Sequence, residues 1–262
     1  MTTATSPPPS RWDEPDNGTW EPLERSHHTY SKVAAWSGFD RARELGLMSD
    51  EEAADLCEKI RKQVLEHGVR ERKDGGHYLA ADFDSDAMDA TAFLVYPTGF
   101  MDAELARGTR EEAQRRIGDG PWVYRTEGYR EHGEGAFLLC GFWRIGHLIR
   151  EGHLDHAQAA LEHYLANSSP LGLYAEEIDP SSGESRGNFP QGFSHLGLIT
   201  TILDLQQAKK DPAFAKLPLH EKIRASVGRT IGLRAVIAGF FRVPRTLRLL
   251  FSKRSKWPAG SG

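Results

Sequence analysis

Apolar residues recur at helical spacing along most of this chain, and no run alternates apolar and polar residues as a half-buried strand would. Val33, Trp36, Phe39 and Leu45 fall on one helix face, with Gly46 as its stop. Ser49 or Asp50 can cap a second helix that carries Ala53, Leu56, Cys57, Ile60 and Val64 on its buried side. Further helices are expected from Asp84 or Ser85 to about Tyr96, where Pro97 stops it, and over residues 109–117. Others are expected from Gly135 to Arg150, from Leu154 to Leu165 and from Phe193 to Ala208. A last one runs from about Leu219 until Pro244 kinks or ends it. Short glycine turns join some neighbours, at residues 46–49 and at Gly152. Long polar, aromatic loops join others, at residues 67–84, 118–133 and 168–189. That asymmetry predicts helical hairpins with the functional loops at one end. The fold expected is all-α, a barrel or toroid of antiparallel helices.

A length of 262 residues with 39% apolar content suffices for one large domain with its own core. Residues 1–11 read as a disordered Ser/Thr/Pro leader without the apolar stretch of a signal peptide, residues 12–221 as the domain, and residues 222–262 as a basic helical tail. No stretch reaches the length of a membrane span. Two cysteines, Cys57 and Cys140, cannot form a disulfide framework, so free thiols in a reducing, cytoplasmic setting are expected. The net charge of −4 hides a split. Lys222 to Lys256 hold 10 of the 33 basic residues and no acid, which leaves 23 basic against 37 acidic side chains elsewhere, a net of −14. The tail therefore admits contact with a membrane surface through residues 222–257, with the acidic body, or with another chain. No motif supports nucleic-acid binding.

Residues 171–199, LGLYAEEIDPSSGESRGNFPQGFSHLGLI, carry the strongest sign of a site. Glu176 and Glu177 sit where an apolar segment enters a Pro-Ser-Ser-Gly turn, near Gln191 and His195. A second acid beside an aromatic lies upstream in Gly18-Thr19-Trp20-Glu21. Two separated carboxylates of this kind are the minimum equipment for acid–base cleavage of a glycosidic bond. His27, His28 and His195 lack the spacing of a closed zinc site, and Asp82, Asp84, Asp86 and Asp89 read as helix-start acids rather than a calcium loop. No metal or cofactor is expected.

Three blocks, WEPLERSHHTYSKVAAWSGFDRA (20–42), VYRTEGYREHGEGAFLLCGFW (123–143) and GLYAEEIDPSSGESRGNFPQGFSHLGLI (172–199), resemble, in this order, the glycoside hydrolase family 15 of bacterial glucoamylases, glucodextranases and trehalases. The resemblance implies an (α/α)6 barrel, here its C-terminal half, and inverting hydrolysis of α-linked glucosides. It implies Glu21 as general acid and Glu176 as general base. Trp20, Tyr124, Arg125, Glu134 and Glu177 are implied as residues that line or orient the sugar pocket. Burial beside Trp20 is expected to raise the pKa of Glu21, while Glu176 stays ionised to activate water. Salt bridges to Glu127 or Glu131 are the competing reading of Arg125. Trp36, Phe142 and Trp143 are expected in the core. Family members carry barrel helices and an Arg-Asp pair ahead of the Trp-Glu block, whereas here that block begins at Trp20. A half-barrel exposes apolar surface, so a protein partner or self-association is expected to cover it, and a non-catalytic remnant or partner subunit stands beside the enzyme as an alternative.

Overall fold

The computed structural model describes residues 11–218 and 220–222. The Ser/Thr/Pro leader up to residue 10 and the basic tail from residue 223, with the helix and surface contacts expected there, lie outside the described residues. The described residues up to 218 belong to one compact unit.

The fold is all-α. Helix α1 (Thr29–Glu44) packs on α2 (Asp50–Gly68), and both start where the sequence places them. Ser49 accepts a hydrogen bond from the amide of Glu52 at 3.2 Å and donates to the Glu52 carboxylate at 2.9 Å, a reciprocal cap that fixes the start of α2. Val33, Ile60 and Val64 are buried, but Leu45 is 72% exposed because α1 ends before it. The loop after α2 contains a hairpin of β1 (Val69–Glu71) and β2 (His77–Leu79). Helix α3 (Ala92–Thr98) begins well after Asp84 and contains Pro97, so the helix expected over residues 84–96 is corrected. The aspartates before α3 are taken up by loop bonds: Asp82 accepts from the Asp84 amide and Ser85 hydroxyl, and Asp86 pairs with Arg70. Pro97 is the penultimate residue of α3, so it forgoes a single i→i−4 bond at the end of the helix.

Helix α4 (Ala103–Ile117) starts earlier than expected, because the Asp102 carboxylate accepts from the amides of Glu104 and Leu105. Then come β3 (Gly118–Asp119), β4 (Trp122–Val123), α5 (Glu127–Glu131) and β5 (Ala136–Phe137). Helix α6 (Leu138–Glu151) is apolar on more than one face, and it packs against α3, α7 (Leu154–Ala166) and α8 (Gly192–Lys210). Cys140, Phe142, Ile145 and Ile149 bury that surface. At Gly141 a Cβ would lie 1.7 Å from the Tyr164 hydroxyl, so only glycine lets α7 approach this closely. Strands β6 (Glu177–Ile178) and β7 (Ser185–Arg186) precede α8, and α9 (Pro212–Ala215) follows it. β5, β6 and β7 form one antiparallel sheet. These ladders of two or three residues were not foreseen. They are too short to show a period, and they form because the backbone of a packed loop must find hydrogen-bond partners. Among the described residues no helix is long and apolar enough to cross a membrane.

Candidate active site

Four segments that the sequence reads as loops interlock beside α6. The first, around Trp20, is a lasso closed at its base by the Asp16–Ser26 backbone pair. Asp16 also accepts from the Gly18 amide at 2.7 Å, the Ser31 hydroxyl at 2.6 Å and the buried Lys32 at 3.3 Å. Asn17 reaches across the lasso to the Pro22 carbonyl at 2.8 Å. Glu21 sits at its tip with φ of 52°, the left-handed region that costs a residue with a side chain about 1–2 kcal/mol. Glu21 is exposed, so the burial expected beside Trp20 is corrected.

Trp20 anchors the lasso. Its ring lies 5.9 Å from Trp143 and 6.3 Å from Phe137, and its Nε1–H donates to Asp89 at 3.0 Å. Asp89 is buried, and its carboxylate also accepts from the Thr91 amide at 2.9 Å and the Thr91 hydroxyl. Burial pushes the Asp89 carboxyl above its ordinary value despite these bonds. The sequence left Asp89 among helix-start acids and Trp143 in the core, so both neighbours of Trp20 were missed; only their positions relative to Trp20 in three dimensions reveal them.

Arg125 lies over three rings, 4.3 Å from Tyr129, 5.2 Å from Phe137 and 5.7 Å from Trp20. Its fork grips Glu134 through Nε at 3.1 Å and through Nη2. The expected rival partner Glu127 is held instead by Arg116 at 2.6 Å. Tyr124, expected to line the pocket, is buried in the hydrophobic core, because the β4 strand that precedes it turns that side chain inward.

The sheet brings the acidic pair to this cluster. Phe137 pairs with Glu177, and the Leu138 amide donates to the Glu176 carbonyl at 3.0 Å, which ties the pair to the start of α6. The Asp179 carboxylate, held down to about 2 by the Ser181 hydroxyl and the amides of Ser181 and Ser182, shapes the turn that returns the chain. The Glu176 side chain then takes three N–H donors: the Asn188 amide at 3.1 Å, Asn188 Nδ2 at 2.9 Å and Gln191 Nε2 at 3.1 Å. At Gly187 φ is 69° and a Cβ would lie 2.8 Å from Glu176 Oε2. Glycine alone lets this loop close on the carboxylate. Glu177 Oε2 accepts from the Gly135 amide at 3.1 Å. Burial first, and the Glu134 charge second, raise the Glu177 carboxyl above its ordinary value. His195 is satisfied locally, with Nδ1 2.7 Å from the Gln191 carbonyl and Nε2 accepting from the Tyr174 amide at 3.3 Å.

The fold that carries these loops is shared with solved glycosidases. A wild-type glycosidase superposes with a TM-score of 0.64 at 20% identity, covering 74% of this chain and 56% of that one. A glycosidase in complex with glucose superposes with a TM-score of 0.63. The family is fixed by sequence: the model for glycosyl hydrolases family 15 matches residues 9–203, and the chain belongs to that family. The trehalase of Mycobacterium tuberculosis (strain ATCC 25618 / H37Rv) is 34% identical over 213 residues, 76% of this chain and 31% of the relative. The trehalase of Thermoplasma volcanium (strain ATCC 51530 / DSM 4299 / JCM 9571 / NBRC 15438 / GSS1) is 34% identical over 210 residues, 75% of this chain and 33% of the relative. The chain thus spans about a third of the length of the curated relatives it matches.

Proposed function

We propose that this chain carries the acid–base residues of an inverting α-glucoside hydrolase, with Glu176 as general base and Glu21 as general acid. The observation that carries the reading is the Glu176 clamp, in which three N–H donors from the loop before α8 hold one carboxylate in a single orientation. An ionised base that must aim a water needs such fixed donors. Trp20, Arg125, Glu134 and Glu177 form the wall beside it, where rings offer apolar faces to a sugar and the guanidinium offers donors. Inverting pairs stand about 6.5–9.5 Å apart so that water fits between base and anomeric carbon. Trehalose is the first substrate to test because the curated relatives are named trehalases. Glu21 is exposed, so bound sugar or a further chain is needed to exclude water around it. A reducing, cytoplasmic setting suits the buried thiol of Cys140.

The test is glucose release from trehalose, maltose, isomaltose and panose by pure, folded, monodisperse protein. Activity is expected on at least one. Glu176→Gln is expected to lower kcat by roughly 10²–10⁴-fold, the usual worth of a general base. Absence of release from all four rejects the reading for this chain.

A second reading, a partner subunit without turnover of its own, is favoured by one observation. Phe193, Leu196, Ile199 and Leu203 stand more than half exposed along α8. Such a stripe is what a covering chain would bury.

A further inference from the structure

A concavity of about 660 Å3 lies between α4, α6 and α7, apart from the loops that hold Glu176. Arg110, Arg144, His153, His156 and His163 line it, and Glu151 at its edge pairs with Arg110 at 2.5 Å and lies 3.7 Å from His153. That basic lining is against the trend of a chain whose residues outside the tail carry a net of −14. His153, His156 and His163 share one face of α7 by their spacing of three and seven. His153 is also the N-cap residue of α7 and makes no side-chain cap bond there, so the groove reaches the amide end of that helix.

Arg144 is the decisive residue. It is partly buried, and its Nη1 donates to the carbonyls of Pro121 at 2.9 Å and Gly120 at 3.5 Å. Among the described residues no carboxylate pairs with it; burial first holds its pKa below the ordinary arginine value, and the Arg110 charge adds to that while Tyr164 opposes it. Arg110 is itself directed to Glu151 at 2.5 Å. Glu151 compensates Arg110, whereas the Arg144 guanidinium is drawn from water with only carbonyl acceptors, which is unfavourable. An anion in the groove would remove that penalty. Donors converge from three helices rather than from one side, which suits a tetrahedral oxyanion better than a planar carboxylate. Leu148, Ala159 and Ala160 supply an apolar wall with room for a small organic body.

We propose that this groove binds a phosphate group, free or carried on a small organic molecule, through Arg144, Arg110 and the histidine face of α7. The site does not depend on the acid–base reading of Glu176.

Isothermal titration calorimetry on the intact chain, at constant ionic strength, tests it with inorganic phosphate and glycerol 3-phosphate as probes and chloride as the blank. Saturable binding of either phosphate is expected, with tighter binding of glycerol 3-phosphate if the apolar wall takes part. Arg144→Gln is expected to weaken it roughly tenfold, about the worth of one charge-assisted hydrogen bond. Because Arg144 also braces Pro121, the exposed pair His153→Gln/His156→Gln provides a variant with little risk to the fold, expected to weaken binding about threefold. The proposal is overturned if neither phosphate binds saturably, or if binding is unchanged in both variants. Heat that chloride reproduces at equal ionic strength overturns it as well.

Discussion

One buried and one half-buried carboxyl, Asp89 and Glu177, each give a measurement at the scale of single residues. Glu177 is raised by burial and by the charge of Glu134, so the folded chain holds that proton more tightly than the unfolded chain. Stability on its account is full below the ordinary glutamate value and falls as pH rises through the window up to the folded value. Glu177→Gln, which keeps an acceptor for the Gly135 amide, is expected to unfold at higher temperature than the parent at pH 7 and equally below about pH 4. A lower Tm at pH 7 would show that the charge is compensated by Arg125. Asp89→Ala leaves the Trp20 Nε1–H and the Thr91 amide without their acceptor. A loss of about 1–3 kcal/mol is expected in urea unfolding, with a smaller loss in Asp89→Asn, which retains an oxygen. Arg125 is the residue where local reading misled most. Glu127 lies two positions away and is nevertheless held by Arg116, while Glu134 takes the Arg125 fork.

At the scale of elements, helices were legible where an amphipathic stripe and a cap coincided, as in α2 with Ser49. They were misread where acidic residues imitate a helix start. Residues 82–89 carry four aspartates, and each is used by a loop contact or an ion pair rather than by a helix end: Ser26 donates to Asp84, Arg70 pairs with Asp86, and Trp20 donates to Asp89. The β7–α8 connection carries the test at this scale. Gly187→Ala places a methyl against the Glu176 carboxylate and strains a left-handed backbone. Glucose release is expected to fall at least tenfold while KM changes little, with a stability loss of about 1–2 kcal/mol. Full activity in this variant would mean that the clamp on Glu176 is dispensable.

Across the whole molecule, the exposed stripe of α8 sets the behaviour. Phe193, Leu196, Ile199 and Leu203 are 61%, 61%, 53% and 60% exposed, a larger apolar run than a lone soluble chain usually shows. Self-association is therefore expected in analytical ultracentrifugation at micromolar concentration. Leu196→Glu with Leu203→Glu is expected to return the protein to a monomer with unchanged far-UV circular dichroism. A monomeric parent would remove the support for a covering chain. The same stripe explains why the fold class could be read and the covering surface could not: periodicity reports that a face is apolar but not what it meets.

The sequence by itself determined the all-α class and, through three ordered blocks, the family, and it singled out the Trp-Glu and Glu-Glu segments. Those properties reside in local spacing and residue type, which survive without coordinates. Tertiary structure alone decided that Glu21 is exposed, that Tyr124 is core, and that Arg125 belongs to Glu134. It also joined Trp20 to Asp89 across 69 positions and Glu177 to Gly135 across 42. Burial and long-range pairing depend on which helices pack around α6, and no local pattern encodes which distant loop a packed helix will bring alongside.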